Sequence, residues 1–239
     1  MFNIGESKVF HYGSAKQKKS AILFLHGFPA DSGKNEDIAE GLSKSELDVD
    51  CYIIHYAGLG LSNGIFSFCQ SIIDSTELAE TLIKMDYKSL YLVGHSWGGL
   101  VSLNIMNSLQ KCINSCILLA PVTLLPNEEV TREMLSTFIK SREVNGTLYS
   151  LDILLDEYKI IRSQYNPFKI FTNLSGKNIS IIQGLNDVVT PPNGSRSFSK
   201  LFFPAIPVEE VDDDHWFNND RNRIYNLIFD KIKASQFLY

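Results

Sequence analysis

The chain has no run of 18 consecutive apolar residues, so no segment reads as a membrane-spanning helix. Its first residues, MFNIGESKVFHYG, carry no basic stretch followed by an apolar core, which argues against a secretory signal and leads us to expect a cytoplasmic protein. Cysteine is scarce. Cys51, Cys69, Cys112 and Cys116 form neither a C-x-x-C pair nor zinc-finger spacing, and two of them, Cys51 and Cys116, lie inside apolar runs. Reduced thiols serving as small hydrophobes are expected, with no metal site. Like charges never run longer than Asp212-Asp213-Asp214, and the net charge is only −5. Neither nucleic acid nor an anionic membrane surface is an expected partner. Internal repeats and low-complexity segments are also missing.

What is present suits one substantial core. At 239 residues and 44% hydrophobic content, the chain is expected to fold as a single domain over residues 1–239. Lys8 to Gly13 reads as an edge strand. Ala21 to His26 is a continuous apolar run, as in a parallel strand covered on both faces. Glu36 to Leu47 follows with helical periodicity and Asn35 as its cap, then a strand from Val49 to Tyr56 and an amphipathic helix over Ile72 to Met85. Leu90 to Val93, a helix bearing Leu100, Val101, Leu103, Ile105 and Met106, and the strand Cys116 to Ala120 continue the alternation. This is the rhythm of an α/β protein with a doubly wound, mostly parallel sheet and helices on both faces.

The rhythm fails between residues 122 and 170. Helical pieces at Glu128 to Arg142 and Leu151 to Gln164, rich in Phe138, Tyr149, Leu154, Leu155 and Tyr158, read as an insertion between two strands. A small helical lid over the carboxyl ends of the sheet is the expected role, although the same side chains would also serve as the insertion's own core. Strand and helix then alternate again through Ile179 to Gln183, Gly194 to Phe202, Ile206 to Val211 and Asp220 to about Ala234.

Chemistry concentrates at Gly94-His95-Ser96-Trp97-Gly98, a G-x-S-x-G sequence set between a buried strand and a helix. A sharp turn there would expose the Ser96 hydroxyl at the start of a helix, where free N–H groups favour negative charge. Gly60-Leu61-Ser62-Asn63-Gly64 matches the same pattern but has no helix opening directly behind it, so Ser62 reads as a loop residue.

A serine hydroxyl needs a base, and the base needs a group to orient it. Of five histidines, His11 and His55 lie in or beside strands, and His26 and His95 read as packing or turn residues. His215, in the loop VDDDHWFNND, is the candidate base. Asp187, at the end of IIQGLND, is the candidate acid, with Asp212, Asp213 and Asp214 as competitors. An oxyanion would be met by the backbone N–H groups of Trp97, directly after the nucleophile, and of Phe28 in His26-Gly27-Phe28-Pro29. Because both would act through backbone, their side chains would be free to shape an acyl pocket.

Together, HGFP, YAGLGLS, GHSWGG, GLND and DHWF resemble the landmarks of the α/β-hydrolase superfamily from His26 to Phe217. Within it, HGFP, GLGLSNGIFSF and the lid are similar to bacterial feruloyl (cinnamoyl) esterases and monoacylglycerol lipases. The resemblance implies an α/β-hydrolase fold and hydrolysis of a small carboxylic ester through an acyl-enzyme, without metal or organic cofactor. A thioesterase, amidase or iminopeptidase would use the same groups, and a non-catalytic ligand-binding member is a third reading. The sequence leaves a homodimer open.

Overall fold

In the central strands almost no side chain reaches solvent, so apolar and β-branched residues occupy both faces. The computed structural model describes residues 1–13, 18–29, 35–143 and 149–236. In chain order the elements are β1 (Phe2–Ile4), β2 (Ser7–Tyr12), β3 (Ser20–Leu25), α1 (Glu36–Ser43), β4 (Val49–His55), α2 (Phe68–Lys84), β5 (Ser89–His95), α3 (Trp97–Leu109) and β6 (Ser115–Leu119). They continue with α4 (Glu128–Glu143), α5 (Leu151–Gln164), α6 (Pro167–Ile170), β7 (Ile179–Gly184), α7 (Pro192–Ser199), β8 (Val208–Val211) and α8 (Arg221–Gln236).

The strands form one sheet in the order β1-β2-β4-β3-β5-β6-β7-β8. β1 and β2 run antiparallel, and every pairing from β4 to β8 is parallel. Successive side chains of β3 go to opposite faces. Ala21, Leu23 and Leu25 join the core beneath α2 and α3, whereas Ile22 and Phe24 join the core beneath α1 and α8. In α8 the stripe Ile224, Ile228, Ile232 recurs at the helical interval and is fully buried. Helix α3 is buried continuously from Trp97 to Met106, as a helix apolar on every side must be.

Three expectations need correction. Lys8 to Gly13 is an edge strand only in part, because β1 covers Ser7 to Val9 of β2 through a tight hairpin with Gly5 at φ +54°; three residues are too short to show a period. Helix α1 stops at Ser43, not Leu47, where the Ser43 and Ser45 hydroxyls donate to the Glu40 and Leu42 carbonyls and compete with the helical ladder. Asn35 occupies the cap position, but its side chain makes no cap bond. Helix α2 does have its cap, with Ser67 Oγ accepting from Gln70 N–H.

The parallel strands diverge from β3, to β4 on one side and β5 on the other. In such sheets the crevice beyond the carboxyl ends of the two diverging strands is where ligands bind. The helices α4 to α6 leave the sheet after β6 and return before β7. Their buried residues Leu135, Phe138, Leu154, Leu155, Tyr158 and Ile161 join the core on the α2 and α3 side.

Candidate functional site

Ser96 directly follows β5 at φ 54° and ψ −115°, a positive-φ conformation that costs about 1–3 kcal/mol for a residue with a side chain. Neighbouring glycines make the turn sterically feasible. A Cβ on Gly98 would lie 2.0 Å from the Leu25 carbonyl oxygen, and one on Gly94 would lie 2.2 Å from Ser102 Oγ. The strained peptide is held from β6: Ser96 N–H donates to Leu119 O at 2.9 Å, and Ser96 O accepts from Val122 N–H at 3.0 Å. Ser96 therefore sits at the crevice between β3 and β5, with Gly27 of the loop after β3 against its side chain.

Asp187 and His215 are 28 positions apart but follow the paired strands β7 and β8. Their loops are zipped together by Leu185 N–H to Val211 O and Asn186 N–H to Asp213 O, at 2.8 and 3.0 Å. His215 Nδ1 lies 2.8 Å from Asp187 Oδ2. With an ionised carboxylate the proton belongs on Nδ1, which leaves Nε2 as an acceptor. Among the described residues, no hydrogen bond joins Ser96 Oγ to the His215 ring. The structure instead brings these residues together through His95, whose Nε2 lies 2.8 Å from the His215 carbonyl oxygen and whose ring centroid is 5.0 Å from that of His215.

Asp187 is almost fully buried. Oδ1 accepts from the Val189 and Thr190 amides, both at 2.8 Å, and Oδ2 accepts from Thr190 Oγ1 at 2.8 Å and Gln183 Nε2 at 3.0 Å as well as facing His215. Burial pushes this carboxyl up, but the bonds from His215 and Thr190 together outweigh burial and hold it below the ordinary carboxylate value. Gln183 is itself fixed by Ser195 Oγ, which donates to Gln183 Oε1 at 2.6 Å. His95 is driven down to about 3, first by burial and then by the neighbouring His215, so it is neutral and its Nε2–H donates.

The competing acids are spent elsewhere. Asp213 accepts from the Asp214, Asn219 and Asp220 amides, Asp214 accepts from Trp216 N–H, and Asp212 accepts from Asn186 Nδ2. The remaining histidines are structural: His26 Nε2 accepts from Tyr56 N–H, buried His55 accepts from Leu61 N–H through Nδ1, and His11 pairs with Asp50. Ser62 Oγ donates to His55 O and accepts from Lys8 N–H, so the second G-x-S-x-G is a turn brace.

Trp97 opens α3, so its N–H has no acceptor within the helix, and Phe28 lies in the turn after β3. Their side chains are less free than the sequence suggests. Trp97 Nε1 donates to Ser71 Oγ at 3.0 Å and the ring packs on Phe68 at 4.8 Å, which places it in the α2–α3 interface. Phe28 packs on Phe66, Phe68 and, from α4, Phe138, at 4.5, 5.0 and 4.7 Å. The loop after β3 is thus backed by aromatic rings.

A family model described as serine aminopeptidase, S33, matches residues 16–168, more than half of the chain. The chain belongs to this family of α/β hydrolases. Among similar proteins, one named putative esterase/lipase 2 from Mycoplasma genitalium is 20% identical over 221 residues, 80% of this chain and 82% of that protein. One named putative esterase/lipase 3 from Mycoplasma pneumoniae is 27% identical over 126 residues, 51% of this chain and 43% of that protein. Among solved structures, Est1E from Butyrivibrio proteoclasticus with bound ferulic acid superposes with a TM-score of 0.70 at 17% identity, covering 97% of this chain and 94% of that one. A monoacylglycerol lipase from Paleococcus ferrophilus gives 0.69 at 16% identity, covering 96% and 99%. At such identities the superpositions establish the fold, and family membership makes the S33 protein an esterase-like serine hydrolase.

Among the described residues no group of three His, Cys, Asp or Glu side chains could hold a metal ion, and no helix is long and apolar enough to cross a membrane. Cys51 and Cys116 are free and buried, and burial pushes both thiols up. Sequence reasoning missed Thr190, Gln183, Ser195 and the tie made by His95. The available signal was Gln183 itself, an amide at the end of an apolar strand that must find partners once buried.

Proposed function

We propose that this protein hydrolyses a small carboxylic ester by a Ser-His-Asp mechanism. The observation that carries the reading is the 2.8 Å Asp187–His215 bond at the same end of the sheet as the positive-φ turn of Ser96. His215 Nε2 takes the Ser96 proton as Oγ attacks the acyl carbonyl. Asp187 holds the tautomer and stabilises the imidazolium. The Trp97 and Phe28 amides receive the developing oxyanion, each contributing about 10²- to 10³-fold. Proton return from His215 expels the alcohol, and water repeats the attack on the acyl-enzyme. A Ser96–His215 bond forms when substrate fills the crevice, since catalytic bonds that are long or misaligned in a resting enzyme often close only in the substrate complex. Helices α4 to α6 serve as the lid, with Phe138 presenting an aromatic ring to the Phe28 loop.

The family description favours one second reading, release of an N-terminal amino acid. The similar proteins named esterase/lipase support ester cleavage, which therefore ranks first. The test is turnover of p-nitrophenyl esters of graded chain length against aminoacyl anilides, with fluorophosphonate labelling of the protein. Ester turnover with an initial burst and one label per chain at Ser96 is expected. Labelling that survives Ser96→Ala removes the mechanism, and turnover confined to the anilides makes the protein an aminopeptidase.

A further inference from the structure

We infer that Thr190 is a positioning residue whose hydroxyl fastens the acid–base pair to the segment after β6 that grips the nucleophile turn. The inference rests on the triad reading above. Thr190 Oγ1 lies 2.8 Å from Asp187 Oδ2, 3.1 Å from His215 Nδ1 and 2.9 Å from the Ala120 carbonyl oxygen. A hydroxyl has one proton and two lone pairs. Its proton faces the Asp187 and Ala120 oxygens, and its oxygen stands beside the Nδ1–H that Asp187 receives. No other side chain bridges these three groups among the bonds of the described residues.

The Ala120 end of this bridge matters because of its neighbours. Leu119 O receives the Ser96 N–H, Val122 N–H donates to Ser96 O, and Ala120 between them is held at φ 42° with its N–H on Ile182 O. The four residues Leu119 to Val122 grip both peptide groups of the nucleophile and also give Thr190 its anchor. The base and acid are therefore indexed to Ser96 through Thr190, in addition to the backbone pairing of β6 with β7.

The acid loop is turned to make this contact. Val188 and Val189 are exposed at 84% and 53%, while the polar residue beside them faces inward. Burial preference alone would reverse that arrangement. Gln183 Nε2 also donates to the Thr190 carbonyl at 3.1 Å, so the main chain of Thr190 is pinned from β7 while its side chain works on the other face.

The experiment compares wild type with Thr190→Val, which keeps the branched shape and removes the oxygen, Thr190→Ser, which keeps the hydroxyl, and Thr190→Ala. The readouts are the limiting rate of fluorophosphonate labelling at saturation, kcat and KM for p-nitrophenyl acetate, and melting temperature. Thr190→Val and Thr190→Ala should lower the limiting rate and kcat about tenfold, less than the ~10²-fold of a 1 Å misplacement, with KM and half-saturation unchanged. Thr190→Ser should stay within about twofold of wild type on the same scale. A wild-type rate in Thr190→Val or Thr190→Ala overturns the inference, whatever happens to the melting temperature. So does Thr190→Ser as slow as Thr190→Val, because shape and not the oxygen would then matter. Loss of labelling in wild type, or its survival in Ser96→Ala, would instead sink the triad reading.

Discussion

Asp187 receives five hydrogen bonds in the folded chain, and only one comes from the candidate base. Replacing it with asparagine keeps the shape but presents an amide that would select the wrong His215 tautomer. Asp187→Asn should therefore reduce kcat by up to about 10⁴-fold with little change in KM, measured by steady-state ester hydrolysis. Ser62→Ala should leave the labelling stoichiometry at one per chain, since that hydroxyl is engaged with Lys8 and His55. As candidates, Ser96, Asp187 and His215 could be picked out of the sequence because each stands after a strand, in an order that the proposed chemistry requires. Thr190 could not, because a threonine directly after two exposed valines carries no periodic signal. Its partners Ala120 and His215 are 70 and 25 positions away, a closeness that only the folded sheet creates.

At the scale of elements, strands covered on both faces declare themselves as unbroken apolar runs, so β3 to β7 were read within a residue or two. The short β1 and α6 fell below any period. The insertion after β6 was read as helical, and its mode of attachment was not. Glu157 of α5 accepts from Ser67 Oγ at 2.6 Å and from Phe68 N–H at 2.8 Å, placing a carboxylate at the start of α2, where charge and free N–H groups suit each other. Glu157→Ala should cost about 1.5–3 kcal/mol in urea unfolding, because the Phe68 N–H would lose a charged acceptor. If α4 and α5 act as a lid, that variant should also change chain-length preference among p-nitrophenyl esters while the labelling rate at Ser96 holds.

For the molecule as a whole, acid is the condition that the buried groups resist least. His95 and His55 are held neutral by burial, down to about 3 and about 4 from the ordinary 6.5, and Asp187 is held below the usual carboxylate value. In each case the unfolded chain binds the proton at higher pH than the folded chain. Stability is thus greatest above pH 6.5 and falls as pH drops toward the folded values. Scanning calorimetry across that range should show a melting temperature that declines with acidification. His95→Gln should flatten the decline without abolishing it, because the amide still offers an N–H to the His215 carbonyl while His55 still titrates.

The strained corner after β6 has one more consequence. Two paired strands mark where the α4 to α6 segment departs and where it rejoins, and the residues that fix Ser96 lie before it while Asp187, Thr190 and His215 lie after it. Everything in between is bound to that frame through α2, α3 and the loop after β3 rather than through the strands that carry the candidate residues. Swapping that excursion for one of another length or lining would alter which molecules gain entry while the reacting atoms kept their places, so new preferences could arise in descendants of this chain without the hydrolytic centre being rebuilt.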